Sequence, residues 1–292
     1  MKLLFIINPI SGGKEKTDWE TQIREYFKES PHAMDFYLLT GNSDSASIEH
    51  HINSVNPDRV VAVGGDGTVK MLAGFLKEKN TSLGIIPAGS ANGMAKELGI
   101  PQDVNIALDV AVNGEEKAID LIKINNDHFC IHLSDIGLNA MLVKYFEQSK
   151  KRGMWNYTKG FVKTLIVKQK MYVTIKTDTE VYKRKAYMVA LANATKYGTG
   201  ATINPTGDIA DGLFEVVVVR KVNLLEVFKG VVTHKEFHPN RIEVFQTKTL
   251  ELNTLEKTYF QVDGEYLGKI KKLTAEIIPN CLKIIFPSNS ED

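Results

Sequence analysis

Arg59-Val60-Val61-Ala62-Val63-Gly64-Gly65-Asp66-Gly67-Thr68-Val69-Lys70-Met71-Leu72 is the stretch whose reading decides the fold. A short apolar run stops at two glycines, and a helix-forming segment follows. Continuous apolar runs of this length mark strands buried on both faces of a parallel sheet. The pattern recurs on either side. Residues 3–7 are apolar and end at Asn8-Pro9-Ile10-Ser11-Gly12-Gly13, and residues 83–86 end at Pro87-Ala88-Gly89-Ser90-Ala91-Asn92. A further strand is expected at 34–39. Helices are expected at 18–28, 45–53, 69–77 and 92–98, the first with Trp19, Ile23 and Phe27 at four-residue spacing on one face. Such alternation predicts a doubly wound, parallel α/β domain.

The pattern changes after Asp120. Segments 172–177, 186–193, 214–219, 241–245, 258–262, 275–278 and 282–286 alternate with period two, with one helical stretch at 156–170. This predicts a mostly antiparallel β-sandwich. A length of 292 residues suits two domains. The boundary is placed at Asn125-Asn126-Asp127, giving a nucleotide domain over 1–125 and a sandwich over 126–292.

Composition is that of a globular protein, 43% hydrophobic and 24% charged. Lys plus Arg is 36 against 35 Asp plus Glu, so the balance offers no general argument for nucleic acid and none is expected as a partner. Cys130 and Cys281 are too few and too far apart for a disulfide scaffold; inert buried thiols in a reducing cytoplasm fit them. The apolar start ends at Asn8-Pro9, short of a signal peptide. No run approaches the roughly 20 apolar residues of a spanning helix. A protein of this kind that handles lipid is expected to visit the inner face of a membrane from the cytoplasm.

Three glycine-bearing loops therefore fall where parallel strands end. Ligands of open α/β sheets bind beyond those ends, where glycine lets backbone N–H groups approach a phosphate and the next helix offers its N-terminus. Ser11, Thr68 and Ser90 can add hydroxyls. Each loop alone also reads as a plain tight turn. A Walker A loop ending at Gly13-Lys14 would need Gly at position 8 and Ser or Thr at position 15, which hold Asn8 and Glu15. A Rossmann fingerprint from Gly65 would need Gly at position 70, which holds Lys70. A carboxylate among phosphate-binding glycines, as at Asp66, suggests an intervening Mg²⁺.

In this ordered set of loops the chain resembles the diacylglycerol kinase catalytic superfamily, which also includes sphingosine and ceramide kinases. Asp208-Ile209-Ala210-Asp211-Gly212-Leu213 is similar to the family's metal-linked segment, and Asp263-Gly264-Glu265 to its late catalytic segment. The resemblance covers nearly the whole chain; Gly-Gly-Asp-Gly-Thr alone also occurs in NAD kinases and phosphofructokinases. It implies an ATP-dependent lipid kinase, acting on a diacylglycerol-like hydroxyl, with its active site in the cleft between the domains. It implies ATP binding by Asn8, Pro9, Ile10, Ser11, Gly12, Thr40, Gly64, Gly65, Asp66, Gly67, Thr68, Val69, Lys70, Ser90 and Asn92. Asp208, Asp211 and the carbonyl of Leu213 would hold Mg²⁺. Glu265 would be the proton acceptor with Asp263 beside it, either carboxylate being able to serve, and Asp66 would act with them. The chain departs from the family at Lys70, where Asn or another polar residue is usual, at Ser90 for Thr, and at Asp208, where other ligands serve. The residues alone favour a hairpin turn for Asp263-Gly264-Glu265, and a turn for Asp211-Gly212.

Two alternatives stand beside the kinase: an NAD kinase-like activity, from Gly64 to Thr68, and a non-catalytic nucleotide-binding module. The basic region 144–185 carries Lys150-Lys151-Arg152, Trp155, Tyr157, Lys159, Lys163, Lys168 and Lys170. It reads equally as a transient contact for an anionic membrane and as a solvated face. Phe161, Leu165 and Ile166 read as core. His234 and His238, four apart, read as a surface helix face rather than a metal pair. A homodimer is one arrangement in view, and the particular lipid leaves no short motif.

Overall fold

The computed structural model describes residues 1–13, 18–41, 45–148, 170–193, 196–197, 201–202, 207–221 and 242–288. Residues 156–169 of the expected helix with Phe161, Leu165 and Ile166, the basic residues 150–168, and His234 and His238 lie outside them. Two compact units divide the chain: Met1–Ile119 with Asn280–Asp292, and Asp120–Pro279. Asn125-Asn126-Asp127 is a hairpin tip within the second unit, with Asn125 and Asn126 both at positive φ.

The first unit holds β1 (Lys2–Ile7), a 3-10 turn at Ser11–Gly13, α1 (Trp19–Tyr26), β2 (Ala33–Leu38), α2 (Ser45–Val55), β3 (Arg59–Gly64), α3 (Asp66–Leu76), β4 (Ser82–Pro87), α4 (Gly93–Glu97), α5 (Val104–Asn113) and the start of β5 (Glu115–Ile124). Its strands are parallel, in the order β2-β1-β3-β4. β1 is buried along both faces. Leu3, Phe5 and Ile7 pack with Ile23 and Phe27 of the α1 face and with Leu108 of α5, while Leu4 and Ile6 point to the opposite face. Asp18 starts α1 by accepting the Thr21 N–H at 3.1 Å. α3 begins at Asp66, so Asp66, Gly67 and Thr68 form a first helical turn rather than a loop.

The end of the chain also belongs to this unit. Leu282, Ile284 and Ile285 are buried, Ile284 pairs in parallel with Leu83, and the Glu78 N–H donates to the Cys281 carbonyl at 2.7 Å. Both cysteines are buried and neither is in a disulfide.

The second unit holds the rest of β5, β6 (His128–Cys130), β7 (Leu133–Gly137), α6 (Leu138–Gln148), β8 (Met171–Thr177), β9 (Val181–Ala186), β10 (Met188–Ala192), β11 (Lys196–Tyr197), β12 (Ala201–Thr202), β13 (Phe214–Val219), β14 (Ile242–Thr247), β15 (Thr249–Val262) and most of β16 (Glu265–Phe286). β15 serves two layers. Its first half pairs with β8, its second half with β7, and irregular register between Asn253 and Thr258 lets it bend. One layer continues through β8 to β9, the other through β7, β10 and β13 to β14. Both line one core that includes Val173, Ile175, Leu191, Phe214, Val216 and Phe260. The outermost strands are tied by Arg184, which forms a bidentate pair with Glu243 at 2.6 and 2.7 Å, and by Tyr182 stacked on Phe245. A sandwich-like, antiparallel unit thus follows an α/β unit.

The packing of β1 sets a stability expectation. Phe5 is fully buried and stacks on Phe36 at 5.4 Å between centroids. Phe5→Ala should cost about 3–5 kcal/mol, read as a fall in the urea midpoint followed by circular dichroism.

Candidate functional site

In the first unit the strand order reverses at β1, whose neighbours are β2 and β3. Loops leaving the carboxyl ends of strands at such a switch point form a crevice. Here they are knitted together. The Asn8 N–H donates to the Val63 carbonyl and the Ala88 N–H to the Gly64 carbonyl, both at 2.9 Å. Asn8 Nδ2 donates to Thr68 Oγ1 at 3.4 Å, and Asn8 Oδ1 accepts the Ile10 N–H at 3.2 Å.

Glycine permits this approach. A Cβ on Gly89 would fall 2.5 Å from the Gly65 Cα, and one on Gly12, at φ +76°, would fall 2.7 Å from the Ala88 carbonyl oxygen. The backbone of all three loops therefore forms one surface, with the N-terminus of α3 in it.

The expected ATP-binding residues divide by what they do there. Ile10, Gly67, Ser90 and Thr40 are exposed and Lys70 is half-buried on α3. Pro9 and Ser11 are half-buried beside Gly12, while Thr68 and Val69 are buried. Asn92 is buried, at φ +51°, and its amide is consumed internally. It accepts the Gly89 N–H at 2.9 Å and donates to the Gly89 carbonyl and to Gln102 Oε1. Asn92 shapes its loop. Asp66 does likewise: its two oxygens accept the N–H groups of Gly93 and Met94, each at 3.0 Å, capping α4.

In the second unit Asp208 and Asp211 are exposed and each folds its own turn. Asp208 accepts the Ala210 N–H at 3.0 Å and Asp211 the Leu213 N–H at 2.9 Å. The segment is anchored by Asp120, a fully buried carboxylate in β5. Asp120 Oδ2 accepts the Gly212 N–H at 2.7 Å, its own N–H donates to the Ile209 carbonyl, and its carbonyl accepts from Asn193 Nδ2 at 2.6 Å. Asp208, Asp211 and the Leu213 carbonyl offer oxygen donors, the kind that Mg²⁺ takes. Among the described residues no three His, Cys, Asp or Glu side chains form a metal cluster.

Asp263 and Glu265 flank a tight hairpin turn, with Asp263 at φ +49° and Gly264 at φ +81°. They are not equivalent. Asp263 accepts backbone N–H groups from Ile131, His132 and Leu133 at 3.0–3.1 Å and faces the Cys130 thiol at 3.3 Å. It holds the β6–β7 connection. Glu265 is exposed at the start of β16. Beside the turn lies Asp135, wholly buried in β7, bound by Asn139 Nδ2 at 2.6 Å, Gln261 Nε2 at 2.5 Å and the Ala140 N–H at 2.8 Å. Sequence reasoning passed over Asp120, Asp135 and Gln261. The signal available was a lone charge inside an apolar strand, as in Ile119-Asp120-Leu121 and Ser134-Asp135-Ile136.

No helix among the described residues is long and apolar enough to cross a membrane. Comparison with known proteins matches residues 2–124 to the family model described as the diacylglycerol kinase catalytic domain. Residues 134–286 match the YegS C-terminal NAD kinase beta sandwich-like domain. The chain is 30% identical over 225 residues to a diacylglycerol kinase of Staphylococcus saprophyticus, covering 74% of this chain and 72% of that one. It is 29% identical over 245 residues to a probable lipid kinase YegS-like of Yersinia enterocolitica, covering 80% of each. The crystal structure of a putative diacylglycerol kinase from Bacillus anthracis shares the fold, with a TM-score of 0.81 at 23% identity over 98% of this chain and 96% of that one.

Two stability outcomes follow from the carboxylates. Asp263→Ala leaves three N–H groups without their acceptor and should cost about 3–5 kcal/mol, whereas Glu265→Gln should stay within about 0.5 kcal/mol of the parent in urea denaturation. Burial pushes the Asp135 carboxyl from 3.8 up to about 6. The folded state therefore holds that proton more tightly than the unfolded chain does. Its stabilising contribution is complete below about pH 4 and is lost as pH rises through about 6, roughly 3 kcal/mol in all. Urea midpoints between those limits should fall with pH in the parent and more shallowly in Asp135→Asn.

Proposed function

We propose, from the premise that this chain belongs to the diacylglycerol kinase catalytic-domain family, that it is an ATP-dependent lipid kinase. It would move the γ-phosphoryl group to a diacylglycerol-like hydroxyl and yield a phosphatidic-acid-like product. The observation that carries this reading is the single backbone surface made by the loops after β1, β3 and β4. Phosphoryl transfer asks a protein mainly for positioned phosphates, neutralised charge and a group to take the hydroxyl proton.

On this reading the glycines of the loops from Asn8 to Gly12 and from Gly64 to Thr68 let the phosphates approach the backbone, the α3 N-terminus adds its positive end, and Ser90 and Thr40 offer exposed hydroxyls. Lys70, one turn into α3, lies near enough in sequence to compensate phosphate charge. Mg²⁺, held by Asp208, Asp211 and the Leu213 carbonyl, would supply charge neutralisation as a Lewis acid. Asp66, whose carboxylate caps α4, would put a negative charge beside the phosphate loops, where a cation has to mediate. Glu265 accepts the proton of the attacking hydroxyl, since its neighbour Asp263 is committed to three backbone N–H groups. The lipid acceptor implies visits to a membrane surface.

Purified protein incubated with labelled ATP, Mg²⁺ and extracted lipids should place label in the organic phase. Label on added NAD instead, or nucleotide binding with no transfer to any acceptor, would overturn the assignment. Glu265→Gln keeps the shape of the base but takes no proton. It should bind Mg-ATP as the parent does and lose at least about two orders of magnitude in turnover. Asp66→Ala should abolish transfer with the fold retained by circular dichroism; near-parent turnover would remove Asp66 from the site.

A further inference from the structure

We propose that Asp135 is a positioning residue for the turn that presents Glu265, acting through the side chain of Gln261. The proposal rests on the lipid kinase reading and adds to it a residue that acts through a side chain four chain positions before the base. Asp135 and Gln261 are directly opposite in the β7–β15 pairing and both are buried, at 0% and 1% exposure. Gln261 Nε2 donates to Asp135 Oδ2 at 2.5 Å, and Gln261 Oε1 accepts the Gly264 N–H at 2.7 Å.

An ionised carboxylate only accepts hydrogen bonds. It therefore dictates which way the Gln261 amide faces: nitrogen toward Asp135, oxygen toward Gly264. Without that instruction the amide can turn over, and its N–H₂ then meets the Gly264 N–H, donor against donor. Gly264 is the middle of the turn between Val262 and Glu265, and Asp263 and Gly264 both occupy left-handed backbone. A two-residue turn of this kind sets the direction of the residue after it.

The same carboxylate reaches the far side of the turn. Its Oδ1 accepts the Ala140 N–H at 2.8 Å and its Oδ2 accepts from Asn139 Nδ2, fixing the first turn of α6. At the other end of α6, Glu147 Oε1 accepts the Tyr266 N–H at 2.9 Å. Glu265 therefore sits between two residues whose backbone N–H groups are both held by a chain of contacts beginning at Asp135. A buried carboxylate whose partners are two amides and one backbone N–H is a costly way to fill a core position. Its geometric product here is one orientation of Gln261 and one placement of α6.

The test is an exchange. Asp135→Asn, Gln261→Glu and the double variant Asp135→Asn with Gln261→Glu are compared with the parent in the labelled-ATP lipid assay. In the exchange the amide at 135 donates to the carboxylate at 261, which still accepts from Gly264, so the link is rebuilt with its polarity reversed. Each single variant should lose about tenfold or more in kcat with KM for ATP within about twofold, and the exchange should recover most of the loss. Amide hydrogen exchange at Gly264 should quicken in each single variant and slow again in the double.

Parent-like kcat in both singles, or Gly264 exchange unchanged in both, overturns the proposal while leaving the kinase reading intact. Impaired singles without recovery in the double reduce Asp135 to a packing role and equally overturn it. A parent that labels no lipid overturns the kinase reading itself, an outcome the Gly264 measurement does not share. If Asp135→Asn fails to fold, Gln261→Glu against the exchange gives the same comparison.

Discussion

Gly65 and Gly89 lie backbone against backbone, closer than a side chain on Gly89 would permit. The rest of the first unit's site depends on that contact. It brings the loop after β4 against the start of α3, so that Asp66 can reach forward to the N–H groups of Gly93 and Met94. It also leaves Ala88 where Gly12 can pack against its carbonyl. Three loops separated by up to eighty residues become one wall of backbone. Such a wall is built of backbone rather than of side chains.

Much of this was legible because the sheet is parallel and buried. The runs at 3–7, 59–63 and 83–86 fall within β1, β3 and β4, and the four-residue spacing of Ile23 and Phe27 marks the buried face of α1. The glycine loops were legible by their place after those strands. Two helices, α5 and α6, were not. α6 follows β7 at once, through Gly137 at φ +106°, so its apolar residues run on from those of the strand without punctuation. The start of α3 was placed three residues late, since Asp66-Gly67 reads as a turn until its partner in α4 is known. Nor could spacing divide the work between Asp263 and Glu265. What separates them is contact with residues 131–133, more than a hundred positions upstream.

The second unit spends its acidic residues on shape before chemistry. Asp120 ties the 209–212 segment, Asp263 ties the β6–β7 connection, and Asp208 and Asp211 each close a local turn. Carboxylates accepting backbone N–H groups are strong, directional anchors. They fix irregular segments that a hydrophobic core cannot hold, and they leave Glu265 exposed. A sequence scan for acidic residues therefore cannot tell such anchors from carboxylates left facing solvent.

β16 begins at Glu265 and ends with Leu282, Ile284 and Ile285 buried in the first unit, where Ile284 pairs with Leu83. On the ribosome this has a cost in time. The flank of β4 cannot receive its last partner until the whole of the second unit has been synthesised. Until then the nascent chain carries an unpaired, apolar strand edge, the kind of surface on which chains stick to one another. The first unit is thus the first made and the last finished, and its maturation is set by the rate of translation and by whatever shields that edge meanwhile.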